Sequence, residues 1–241
     1  MIYKKYFKIS FLTLIIILNI LIIFSNKLSY SYGFYSWESG ANGYELVYSD
    51  ARENNKPLIL YFHFEPSVWN TRMDEEYLAN YLIELFLEDI PKVEINPDKG
   101  NAEQKLVSQY KIEAFPAFLV LLPSLNDEFD RIHPFAETDM SAEEFLDNLK
   151  ETIANKYSLL AYSYFEEKKY DDALKYYEIS SQYNPKSVYV YYAIGMVYNY
   201  LYHNKSKKPE FLKKAEENYK KALELDPEHE ESKTELENLK K

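Results

Sequence analysis

Ser67 stands where a helix-like stretch begins, with His63 four residues before it, so a hydroxyl nucleophile and an imidazole base could in principle be neighbours. Acyl transfer by such a pair also needs a third group to orient the base and donors for an oxyanion. Neither signature is visible. Ser67 therefore reads as a helix cap, and His63 as a side chain facing the core or a sheet edge. The acids Asp74, Glu75 and Glu76 could hold a metal, but consecutive positions point around a helix rather than towards one point. They read as a solvated first turn, and no metal or other cofactor is expected. The chain has no cysteine, which excludes thiolate nucleophiles, disulfides, Cys-ligated zinc and iron–sulfur clusters.

These residues sit in text that alternates between strand-like and helix-like patterns. Residues 31–43 read as a linker and Tyr44–Asn55 as a helix. The run Pro57-Leu-Ile-Leu-Tyr-Phe-His-Phe64 is short, bulky and Pro-bounded, as a buried strand is. Met73, Tyr77, Leu78, Tyr81, Leu82 and Leu85 then give helical spacing. Further strands are expected at Lys92–Asn96, Ala117–Leu122 and near Phe129–Phe135, with a helix through Ala102–Tyr110. Asp139 or Ser141 would cap a last helix ending near Ile153. Strands and helices in this order predict an α/β sandwich over 44–153.

Two segments make the pattern specific. Lys56–Met73, with Trp69 and Met73 in its second half, resembles the start of a thioredoxin domain, where a W-C-x-x-C motif opens the helix after the strand. Tyr110-Lys-Ile-Glu-Ala-Phe-Pro-Ala-Phe-Leu-Val120 is similar to that family's segment around its cis-proline. The resemblance implies a thioredoxin-like fold but not its chemistry. Aligned on Trp69 and Met73, the two cysteine positions are Ser67 and Asn70, neither of which can attack sulfur. Tyr61 falls where many members keep a buried acid. The resemblance also implies that the bond from Phe115 to Pro116 is cis, with Phe115 extended, at an edge where the family pairs with bound peptides.

From residue 154 the text becomes all-helical. Tyr157, Leu160, Ala161, Tyr164, Tyr170, Ala173, Tyr177 and Pro185 fall at the spacing of a 34-residue tetratricopeptide (TPR) unit. A second copy runs through Tyr191, Ile194, Gly195, Tyr198, Ala215, Tyr219, Ala222 and Pro227, with surplus residues near His203–Pro209. The chain thus divides into repeats at 154–187 and 188–227 and a capping helix at 228–241. The register puts Asn155, Ser158, Tyr162 and Phe165, then Tyr189, Tyr192, Met196, Asn199 and Tyr200, on the concave face. A groove so rich in aromatics, and without a cation, is expected to take an apolar or aromatic peptide.

Residues 1–30 read as an address. Lys4, Lys5 and Lys8 precede an uncharged apolar run from Ile9 to Phe24, as in a secretory signal peptide or an N-terminal membrane anchor. Positive charge before the run orients the rest of the chain to the outside. The expected location is therefore exported: anchored in a membrane facing away from the cytoplasm, or periplasmic or extracellular after cleavage. The net charge of −11 is concentrated in residues 28–153, which carry 24 acids against 9 Lys and Arg. Such a domain repels phosphate backbones, so no nucleic-acid partner is expected. Protein or peptide ligands are expected instead, together with a membrane if the N-terminal segment is retained. Two functions fit: a non-catalytic binding adaptor or assembly factor, or an accessory subunit of a thiol-redox or electron-transfer system working with a cysteine-bearing partner.

Overall fold

The computed structural model describes residues 35–126, 128–135 and 139–239. The apolar run Leu58–Phe62 forms β2, buried along its whole length, so it takes the centre of the sheet. Parallel to it lies β3 (Lys92–Ile95), and beyond β3 the two-residue β1 (Glu38–Ser39). On the other side β4 (Ala117–Leu121) and β5 (Phe129–Ile132) run antiparallel. The five strands stand in the order β1-β3-β2-β4-β5. Part of the expected linker at 31–43 is therefore structured. Residues 38–39 pair with β3, and helix α1 starts at Gly40 and runs to Glu53.

Alternate residues of the strands feed two layers. Leu58, Leu60, Phe62, Val93, Ile95, Leu119 and Leu121 pack against α1 and against α4 (Asn101–Gln109). Ile59, Tyr61, Phe118 and Val120 belong to the opposite layer, with Met73, Tyr77, Ile83 and Leu87. The helix expected from Met73 to Leu85 is interrupted. It comprises α2 (Val68–Arg72), a π turn (Met73–Leu78) and α3 (Tyr81–Leu87), the last capped by Asn80, whose side chain accepts from the Leu82 N–H at 3.0 Å. The wider turn and the break after it rotate the register. Met73 and Tyr77 lie in the core, as do Ile83 and Leu87 of α3, while Tyr81, Leu82 and Leu85 face solvent.

Ser141 opens α5 with a reciprocal capping box to Glu144. The helix expected to stop near Ile153 continues unbroken to Glu166, 25 residues in all, because no Gly or Pro lies within it to end it. Its first half closes the sandwich with Phe145, Leu149 and Ile153; its second half is the first helix of the repeats. The passage is tied on both flanks. Buried Lys156 pairs with Asp130 of β5 at 2.8 Å and donates to the Glu128 carbonyl. Tyr157 donates to the Asn55 carbonyl at 3.2 Å and stacks on Tyr176 and Tyr183. Tyr183 in turn meets the ring of Phe86 on α3 edge-on. One apolar core thus extends from the sheet into the repeats.

Helices α6 (Tyr170–Tyr183), α7 (Val188–Asn204), α8 (Pro209–Leu225) and α9 (Glu230–Asn238) complete the chain. The surplus residues near 203–209 lengthen α7 and form a short connection before Pro209 opens α8. Gly195 lies where α7 meets α8, and a Cβ there would be 2.6 Å from the Tyr219 ring. Tyr219 is fully buried in the packed core. We expect Gly195→Val to lower stability in urea unfolding by about 3 kcal/mol. A change under about 1 kcal/mol would mean that the ring yields.

Candidate functional site

The C-terminal edge of β2 leads through His63 and Phe64, across a cis Glu65–Pro66 bond, to Ser67. Ser67 caps α2, its side chain accepting from the Asn70 N–H at 3.4 Å. Asn70 is buried, and its amide donates back to the Phe64 carbonyl. These two positions therefore brace the turn. His63 stacks on Tyr61, with ring centroids 5.0 Å apart, and its Nε2 is 3.8 Å from Glu94 across the sheet. It thus points across β2 towards the neighbouring β3. The three acids diverge: Asp74 accepts from the Tyr61 hydroxyl at 3.0 Å, Glu76 pairs with Arg72, and Glu75 is exposed. Burial, and then the Asp74 carboxylate, push the Tyr61 phenol far above its ordinary range, so it stays protonated.

Beside this turn lies a cleft of about 240 Å³ lined by Trp69, Ala114, Phe115, Pro116, His133, Pro134 and Phe135. The Phe115–Pro116 bond is cis, as expected. Trp69, half-exposed, packs against Phe135 at 5.3 Å. The Arg72 guanidinium covers both rings and is itself held by Glu76 and Asp139. Phe64 meets Phe115 edge-on. The hollow is aromatic, with His133 as the one ionisable lining side chain among the described residues. Sequence reasoning missed His133 and Phe135 because it continued β5 to residue 135. The strand ends at Ile132, and the next residues turn into the cleft.

The nine expected groove residues do not form one surface. Asn155, Tyr162 and Tyr189 are exposed, and Leu159 beside them is as well. The buried Tyr177 hydroxyl lies next to Tyr189; burial first, then this neighbour, raises its pKa. Ser158 must be corrected. It is buried between α5 and α6, sharing a 2.8 Å hydrogen bond with Ser180, which donates to the Ala154 carbonyl. The hydroxyl of Ser180 thus gives Ser158 a buried partner. Phe165 and Tyr200 pack with Tyr170 into a cluster closing one end. Burial and the hydrogen bond with Tyr200 push the Tyr170 phenol up to about 12. Tyr192 and Asn199 are also corrected as open groove positions. Tyr192 packs on Tyr219 and on His229, just before α9, and Asn199 donates to Glu235 of α9 at 3.3 Å. The closing helix fills that half of the concave face. Met196 is half-buried on the same helix.

A parallel β1-β3-β2 set, two antiparallel strands beyond it, and a cis-proline directly before β4 decide the architecture. The sandwich is thioredoxin-like, and helical repeats follow it. No family model and no curated protein matches the chain. Among solved structures, a thioredoxin from Thermus thermophilus aligns at 18% identity over 51% of this chain and 91% of its own, with a TM-score of 0.41. A DsbH oxidoreductase aligns at 20% identity over 49% of this chain and 83% of its own, also with a TM-score of 0.41. The first TPR of Spaghetti (RPAP3), bound to the HSP90 peptide SRMEEVD, aligns at 21% identity over 41% of this chain and 76% of its own, with a TM-score of 0.31.

The thioredoxin-like domain has no thiol–disulfide active site, because the chain has no cysteine. We expect the purified protein to reduce insulin or a small disulfide no faster than buffer does. Turnover that persists after contaminating reductases are removed would contradict this.

Proposed function

We propose that the protein is a non-catalytic, membrane-targeted adaptor or assembly factor that works outside the cytoplasm and binds polypeptide segments. It would use two aromatic surfaces: the cleft at Pro116 of the thioredoxin-like domain, and the exposed tyrosines of the repeats. The observation that carries this reading is the cleft, a thiol-free hollow walled by Trp69, Phe115 and Phe135. Exposed aromatic rings in a concave site are the usual anchors for apolar side chains of a partner. Phe115 and Pro116 lead directly into β4, so an extended chain laid along this wall would run beside a strand. Membrane targeting rests on the basic start and apolar run of residues 1–30, which lie outside the described residues.

A photo-crosslinking amino acid placed at Phe115, and separately at Tyr189, of the full-length protein in native membranes tests the reading. Polypeptide adducts are expected at both positions and not at a control position on exposed Glu53. Trp69→Ala should weaken capture at Phe115 about tenfold or more. Moderate salt should have little effect, because no charge pair is being screened. Absence of adducts at both positions would refute peptide binding. Adducts dominated by a cysteine-bearing oxidoreductase would favour the accessory-subunit role instead.

A further inference from the structure

Helix α3 exposes a face that a surface helix ordinarily keeps polar. Tyr81 is 71% exposed, Leu82 60% and Leu85 49%, while Ile83 and Leu87 of the same helix are buried in the core. Glu84 is the acid at the border of this apolar arc. The register shift at the π turn puts these three side chains outside, and nothing in the described chain covers them.

The end of this helix is also where the described chain begins. The Tyr35 N–H donates to the Glu88 carbonyl at 2.6 Å, directly after α3. The buried ammonium of Lys92 holds the Tyr35 and Leu87 carbonyls together. Thirty-four residues precede Tyr35, and ten of them (25–34) separate it from the apolar run ending at Phe24. Ten residues span at most about 36 Å, so a run inserted in a bilayer would keep α3 within reach of that bilayer's surface. The aromatic cleft is at the C-terminal end of β2, whereas Tyr35 and Lys92 are at the opposite, N-terminal end of the parallel strands.

We infer that α3 docks on a neutral phospholipid surface, with Tyr81, Leu82 and Leu85 entering the headgroup and upper acyl region. This rests on the membrane-targeted reading above. A helix of this length lies in the interface and does not cross it, and among the described residues no helix is long and apolar enough to span a membrane. Tyr and Leu suit that depth. Glu84, Glu88 and Asp89 at its margin favour zwitterionic over anionic headgroups.

Because the native chain has no cysteine, Leu82→Cys in the full-length protein gives a single labelling site for an environment-sensitive fluorophore. Val68→Cys, at the far end of the sandwich, gives the control. Both proteins are reconstituted into phosphatidylcholine vesicles and floated. We expect the label at 82 to shift to the blue and lose about half its emission to quenchers placed ~5–10 Å deep in the lipid, while the label at 68 stays water-like. Adding anionic lipid should reduce the effect at 82. If the protein floats with vesicles but the label at 82 stays in water, the inference fails and the anchor reading survives. A blue shift without lipid quenching would place another protein copy on the helix, and also overturns it. If the protein does not float at all, the anchor reading fails, and this inference with it.

Discussion

Raising the pH from 10 to 12 is expected to unfold the protein cooperatively. Tyr61, Tyr157, Tyr177 and Tyr219 are buried, and burial is the largest cause that lifts each phenol well above its ordinary range. In the unfolded chain they titrate near 10. Above that pH the unfolded state has lost protons that the folded state still holds, so stability falls as pH rises. Each such tyrosine costs about 1.4 kcal/mol of stability per pH unit, roughly 6 kcal/mol per pH unit for the four, and two units approach the whole stability of an ordinary domain. Lys92 acts in the opposite sense. Burial lowers its pKa to about 8, so between there and its unfolded value stability rises with pH. It is one group, and its window closes as that of the tyrosines opens. Tyrosinate absorbance and helical circular dichroism, followed together, check this. The buried fraction should ionise only as helix is lost. If every tyrosine titrates near 10 with the helix signal intact, the burial described here does not govern their ionisation.

Ala154→Pro is expected to split one unfolding transition into two. Residue 154 lies midway along α5, with the sandwich on one side of it and the repeats on the other. A proline there has no N–H for the carbonyl four residues back and its ring collides with that carbonyl, which costs about 3 kcal/mol. The Ala154 carbonyl also accepts from Ser180, so the disturbance reaches α6. The wild-type chain, with one apolar core across both halves, should unfold in one calorimetric step. The variant should lose its repeats first. A single transition in the variant, lowered as a whole, would mean that the packing of Tyr157, Tyr183 and Phe86 holds the halves together without the helix.

The sheet was largely legible in the sequence because its strands are short apolar runs bounded by Pro and polar turns; Leu58–Phe62 and Ala117–Leu121 fell within one or two residues of the expected limits. The repeats were legible because small and large residues recur at fixed spacing, and Gly195 against Tyr219 is that spacing in contact. Three features were not. A π turn leaves no periodic mark, so Tyr81, Leu82 and Leu85 read as continuing the helical spacing of Met73 and Tyr77. A helix serving two units carries a single unbroken pattern, and so Ile153 looked like an end. Register alone also cannot foresee which neighbour fills a concave face. Ser158 was lost to Ser180, and Tyr192 and Asn199 to His229 and α9.

The unbroken α5 also sets a length scale. Twenty-five residues of α-helix make a rod of about 37 Å. Its capped start lies near the Pro116 cleft, since Met140 beside Ser141 accepts from Tyr77, whose ring packs on Phe135 of the cleft wall. Its far end presents Tyr162. An extended polypeptide would need about ten residues to reach from one to the other. Shorter segments can occupy only one surface at a time. A longer unfolded stretch could engage both at once, and its second contact would then form at a high effective concentration. The helix would in that way work as a ruler, favouring long unstructured clients over short peptides of the same composition.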